Sequence, residues 1–191
     1  MINTDKNKVK IMTISGLLCA LGILIPMIFP SFRMEPASYT LASHVPLFIA
    51  TFISPTVTAF VAIVSTFGFF IAGFPIVVVM RALTHLVFSL IGAFVLKKNS
   101  HLLLSNKSTI IYAFVISVIH GAAEVLVVTY YYGINDMAAG YYELGYMVSV
   151  LLMVGVGTVI HSLVDFSIAV LVWKPIQQII SIPANAKIRS K

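Results

Sequence analysis

The chain has 191 residues, 60% of them hydrophobic and 9% charged. Soluble domains carry about 25% charged residues, so this composition excludes an ordinary soluble domain and points to an integral membrane protein. Membrane spans need about 20 residues each, so the length accommodates about six helices and leaves no room for a soluble catalytic or nucleotide-binding domain. No glycine-lysine phosphate loop occurs, so an ATPase driving this protein would be a separate chain. The formal charge of +6 has a membrane explanation, given below, and requires no nucleic acid. The single cysteine, Cys19, rules out a disulfide framework within one chain.

The polar start MINTDKNKVK precedes a first apolar run over 11–29, which Pro26 and Pro30 kink or end because each removes a backbone donor. No small-residue cleavage site follows that run, so the expectation is a retained helix. A polar connection, SFRMEPASY, holds Arg33 and Glu35. The second run, 41–54, is short and interrupted by Pro46, so it can be tilted, broken or partly spanning. The third covers 56–73 and the fourth 74–96, before the basic loop KKNSHLLLSNK. The fifth covers 108–132 and is followed by GINDMAAGYYELG. The sixth covers 146–173, and the tail ends basic.

Lysine and arginine placement orients the runs. Lys6, Lys8, Lys10, Lys97, Lys98, Lys107, Lys174, Lys187, Arg189 and Lys191 fall on one side if there are six spans. The other side holds Arg33 against Glu35, Asp136 and Glu143. The expectation is therefore an all-α integral membrane bundle of six transmembrane helices, both termini cytoplasmic, forming one substrate-binding domain over residues 1–191.

Three ionisable pairs interrupt these runs at i, i+4 spacing: Arg81 with His85, His120 with Glu124, and His161 with Asp165. That spacing places both members on one helix face. A charge in a bilayer costs at least about 2.5–3.5 kcal/mol, which marks such residues as functional candidates. At 1.5 Å per residue, Arg81 lies about 10 Å below the outer end of its helix. His44, His85, His120 and Glu124 are at compatible depths, so these five can converge on an outward-opening cavity. His161 and Asp165 lie deeper and read as a separate cluster that holds helices together.

Arg81 admits three readings. Its guanidinium can hold an anionic ligand bidentately, pair internally with Glu124, or snorkel to the surface. His120 with Glu124 is either a proton relay or a packing hydrogen bond. His44, His85, His120 and Glu124 can also supply the three or four ligands of a zinc or nickel site, although His-x-x-x-Glu spacing is weak support. The reading adopted assigns no metal and no cofactor. Tyr130, Tyr131, Tyr132, Tyr141, Tyr142 and Tyr146 cluster at the outer end. Most fit an interfacial belt, while Tyr146 and Tyr131 are candidates to flank a flat ring. Gly16 and Ala20 place small side chains one turn apart, a face suited to close helix approach within this chain or to another subunit.

These features resemble the substrate-binding S components of energy-coupling factor (ECF) vitamin transporters, small basic six-helix membrane proteins with both termini cytoplasmic. Their first helix carries a small-x-x-x-small motif, here Gly16-Leu17-Leu18-Cys19-Ala20. MEPASYTLASHVPLFIATFISP and GFPIVVVMRALTH are similar to the niacin-type S component. The resemblance implies capture of a small anionic aromatic vitamin at the outer face of a bacterial plasma membrane. It also implies lids between helices one and two and between five and six. The implied partners are a transmembrane coupling subunit and two ATPase subunits. Arg81, His85, His44, Glu124, His120, Tyr146 and Tyr131 are the expected substrate-binding residues, and Gly16 and Ala20 the docking residues. The chain is not expected to be an enzyme. Other readings are an S component for folate, pantothenate or a pyridoxine-like compound, a self-sufficient proton-coupled transporter, and an intramembrane enzyme or metal carrier.

Overall fold

A computed structural model describes residues 2–29, 31–34 and 37–189. Pro30, Glu35 and Lys191 lie outside the described residues, as do the side chains of 2–5 and 31–38, Arg33 among them. Helix α1 runs Ile2–Ile28 with Pro26 inside it, so the polar start is helical and continuous with the first apolar run. The following connection departs from an all-helical expectation. Strand β1 (Ser31–Met34) pairs antiparallel with β2 (Ala37–Thr40), placing Ser31 opposite Thr40 and Phe32 opposite Tyr39.

The second predicted span becomes α2, Val45–Ile53, with all nine residues buried. Nine residues reach about 13 Å, far short of a hydrocarbon core of about 30 Å. It is a core helix inside the bundle rather than a lipid-facing crossing of full length. Local chemistry sets its limits. Pro46 occupies its first turn, and Ser54 breaks the helix in an extended conformation (φ −169°, ψ 158°). Ser54 then caps α3, Pro55–Ile71, by accepting from the Val57 amide at 3.2 Å.

Helix α4 spans Ile76–Lys98 and α5 spans Asn106–Gly133. Short helix α6 is Ala139–Glu143. A π-helical stretch, Met147–Val156, then runs directly into α7, Gly157–Ile179. Among the described residues, Lys6–Ile28, Ile76–Lys98, Asn106–Gly133 and Met147–Ile179 are long and apolar enough to cross a membrane. Helix α3 is apolar but shorter. Phe60, Phe67, Phe70, Ile91, Phe94, Ile110, Phe114 and Leu171 all face outward. So much exposed apolar surface is unsuited to water and natural against lipid acyl chains.

Helix α2 packs against α1, α3, α4 and α7 and forms the centre of the core. Phe48 meets Phe166 and Phe88 at ring separations of 5.3 and 5.6 Å, and Phe52 meets Trp173 at 6.2 Å. The C-terminal tail closes one end of α2. The Ala186 amide donates to the Phe52 carbonyl at 2.9 Å and the Asn185 amide to the Ile53 carbonyl at 3.1 Å. The other end of α2 opens on a cavity. Helix α5 reaches the π-helical stretch closely at Gly121, where a Cβ would lie 2.9 Å from the Gly155 carbonyl oxygen. That approach brings α5 and the start of α7 within hydrogen-bonding reach of each other at the cavity.

Candidate functional site

The cavity has a volume of about 680 Å³, within the range of about 300–1,000 Å³ typical of small-molecule sites. Its wall includes His44 at the start of α2, Arg81 and His85 on α4, Glu124 on α5, and Thr158 and His161 on α7. Tyr39 of β2 and the segment Asn135–Ala138 with Tyr141 complete the mouth.

Glu124 organises one half of the site. Its Oε2 accepts from an Arg81 terminal nitrogen at 2.8 Å and from the Thr158 hydroxyl at 2.7 Å. Its Oε1 lies 3.5 Å from His120 Nε2 and 3.6 Å from His85 Nε2. The internal Arg81–Glu124 pair foreseen from sequence is therefore present. It does not exhaust Arg81, whose buried Nε has no hydrogen-bond partner among the described residues. A donor left unpaired in a cavity wall is costly unless something arrives to accept from it.

Asp165 organises the other half. Its Oδ1 accepts from the Ala42 amide at 2.8 Å and its Oδ2 from the His44 amide at 2.9 Å. A carboxylate at the N-terminus of α2 is well placed against the helix dipole. Ala42 adopts φ 67°, the left-handed conformation that turns both amides toward Asp165. His44 Nδ1 is 3.1 Å and His161 Nε2 3.3 Å from Asp165 Oδ2.

His44 joins the two halves. Its ring centroid is 4.8 Å from His85, 4.7 Å from His120 and 5.0 Å from His161. His161 and Asp165 are thus contiguous with the Arg81 site rather than a separate cluster. Depth along parallel helices would separate the two groups, but the short α2 inside the bundle spans the gap.

Arg81, His85, His44 and Glu124, each named from sequence, line the cavity. His120 sits one layer behind, fully buried and stacked on Phe88 at 4.1 Å. Tyr146 and Tyr131 do not line it. Tyr146 instead shares a hydrogen bond with Thr129 at 2.9 Å, and Tyr131 packs edge-on against Tyr130. Sequence reasoning missed Tyr39, Ser43 and Thr158. Thr158 lies three residues before His161 on the same helical face, a signal that was available. Tyr39 reaches the cavity only through the hairpin, and its hydroxyl donates to the Met153 carbonyl. Burial pushes the Tyr39 phenol up to about 12, so it is neutral at physiological pH. Gly16 and Ala20 are exposed on α1, and a Cβ at Gly16 would meet nothing within 4 Å. Neither is buried against the described residues.

Apolar helices of membrane-spanning length, packed around a cavity with charged groups in its wall, are those of a multi-pass membrane protein. The chain is 40% identical over 171 residues to the niacin transporter NiaX of Lactococcus lactis subsp. cremoris (strain MG1363), covering 88% of this chain and 75% of that one. It belongs to the family of that transporter. No family model matches the chain, and no solved structure matches it.

Proposed function

We propose that the chain is the niacin-binding S component of an ATP-dependent uptake system of the ECF type in a bacterial plasma membrane. The observation that carries the reading is Arg81, a permanent cation in the cavity wall with an unpartnered Nε. Nicotinic acid is a flat ring with one carboxylate, and a carboxylate leaving water needs such a partner. His44, His85 and Glu124 surround the anion, His120 supports them from behind, and Tyr39 and Tyr141 flank the ring. Tyr131 and Tyr146 belong to the outer layer that holds the Asn135–Tyr141 segment in place. The cavity is larger than one pyridine ring requires, so the hairpin and that segment act as lids.

The reading keeps six traversals of one domain with both termini cytoplasmic. Helix α2 is tolerated at nine residues because protein, not lipid, surrounds it. The outward Gly16–Ala20 face of α1 is the docking surface for a coupling subunit that carries two ATPases. Transport, not catalysis, is the activity.

Calorimetry on the purified chain tests the assignment. Nicotinic acid should bind much more tightly than nicotinamide, which has the same ring without the charge. Equal binding of acid and amide would remove the role given to Arg81. Uptake by the chain reconstituted alone under a proton gradient would replace the ECF reading with a self-sufficient transporter.

A further inference from the structure

His44, His85 and His120 each present a ring nitrogen within 4.8 Å of the others. Their rings are mutually near-perpendicular, at interplanar angles of 75°, 76° and 89°, so they do not stack on one another. His120 is completely buried; its Nε2 lies 3.5 Å from Glu124 Oε1, while its Nδ1 has no hydrogen-bond partner among the described residues. A buried ring nitrogen without a partner is uncommon, and the long Nε2 contact leaves room for an ion between the two groups. We propose that these three histidines, with Glu124 Oε1, form a binding site for a divalent transition-metal ion of the zinc type.

The donor set fits that chemistry, since imidazole nitrogen with one carboxylate oxygen is a common zinc environment. Metal–ligand bonds of about 2.0–2.1 Å in a tetrahedron place neighbouring donor atoms about 3.4 Å apart. Glu124 Oε1 already lies 3.5 Å from His120 Nε2 and 3.6 Å from His85 Nε2. The three histidine nitrogens, within 4.8 Å of one another, must draw together by up to about 1.4 Å to complete the set. Glu124 Oε2 is committed to Arg81 and Thr158, which leaves Oε1 for the ion. Outer partners are also in place. Asp165 lies 3.1 Å from His44 Nδ1, so it orients that ring and leaves the other nitrogen free to coordinate.

Charge supplies an independent argument. Glu124 and Asp165 against Arg81 leave the buried cluster at −1 with neutral histidines. An anionic ligand would take it to −2, whereas a divalent ion together with that ligand brings it to zero. The site depends on the histidines and not on which anion enters the cavity, so the niacin assignment can fail without affecting it.

Cobalt(II) is the probe, added to the full chain purified in detergent with a tag that contains no histidine and with no niacin present. One equivalent should bind with the intense visible bands of tetrahedral cobalt, and Zn²⁺ should displace it. His85→Gln and His120→Gln should each abolish the bands, while His101→Gln in the distant loop should leave them unchanged. Asp165→Asn should weaken binding by about 10–100-fold, as loss of an orienting partner does. Folding of each variant is checked by size-exclusion chromatography and thermal unfolding. The native titration needs no variant, and absence of the bands there overturns the proposal. Bands that survive both histidine substitutions but vanish in His161→Gln would also overturn it, by moving the ion to Asp165. If niacin binding instead takes up protons with no metal present, shown by calorimetric heats that vary with buffer ionisation, protonated histidines balance the charge and the metal site is wrong.

Discussion

Replacing Arg81 with glutamine separates the two jobs assigned to that residue. In the folded chain its terminal nitrogen lies 2.8 Å from Glu124 Oε2, with the two side chains 17% and 4% exposed. Removing one member of a buried pair costs about 3–5 kcal/mol, because the remaining charge is left uncompensated. Arg81→Gln should therefore lower thermal stability in detergent. It should also weaken nicotinic acid binding by about 2–5 kcal/mol, roughly thirtyfold to several thousandfold. The double variant Arg81→Gln with Glu124→Gln removes the stranded carboxylate. Stability should recover largely in the double variant, while affinity for the acid should not, because no permanent cation returns to the cavity. The cycle isolates the pairwise term from the ligand term. Calorimetry with acid and amide reads binding, and thermal unfolding reads stability. If affinity returns together with stability in the double variant, Arg81 holds the fold and the anion is bound elsewhere.

Gly16→Leu with Ala20→Leu should abolish uptake while leaving niacin affinity and the unfolding midpoint unchanged, since Gly16 has open space where a Cβ would sit. Full uptake in that variant, measured with labelled niacin in cells, would rule out docking through this face. Asp165→Ala strips the acceptor from the Ala42 and His44 amides at 2.8 and 2.9 Å. The buried His44 amide left unpaired costs about 1–3 kcal/mol and the half-buried Ala42 amide less, so the unfolding midpoint should fall, and an unchanged midpoint would contradict the capping role. Tyr39 has a folded-state pKa of about 12 against an ordinary 10.0, so the stability it contributes is fully present below pH 10 and is lost as pH rises toward 12. A spectrophotometric titration should show a tyrosine ionising near pH 12 that is missing from Tyr39→Phe. Single cysteines at Asp136 should react with a membrane-impermeant thiol reagent in intact cells, and those at Lys6 and Lys187 should not. Labelling at Lys6 from outside would invert the orientation.

Much of the bundle was legible because it rests on local patterns. The fourth and fifth runs, predicted over 74–96 and 108–132, appear as Ile76–Lys98 and Asn106–Gly133. Their ends are set by proline, glycine and a lysine-rich loop, all visible in sequence. The second run is short, as expected, but it lies enclosed by protein. Apolar composition alone does not distinguish a helix facing lipid from one enclosed by protein, and α2 is enclosed on every side. The hairpin over Ser31–Thr40 has too little periodicity to be separated from a polar loop.

The site shows where local reasoning stops. Each i, i+4 pair was visible because a helix fixes the relation between its own residues. That the pairs form one cluster depends on His44, and His44 is held by an arrangement no spacing encodes. Asp165 on α7 accepts from two backbone amides on either side of Ser43, and this requires Ala42 in a left-handed conformation that alanine rarely adopts. The cost of that conformation is offset by two hydrogen bonds to a buried carboxylate and by the helix dipole behind them. Asp165 thereby orients His44 toward His85 and His120, and Glu124 draws those two rings toward Arg81. The two carboxylates, on different helices, place the histidines and the guanidinium around one cavity, so loss of either should disturb residues on both sides of it.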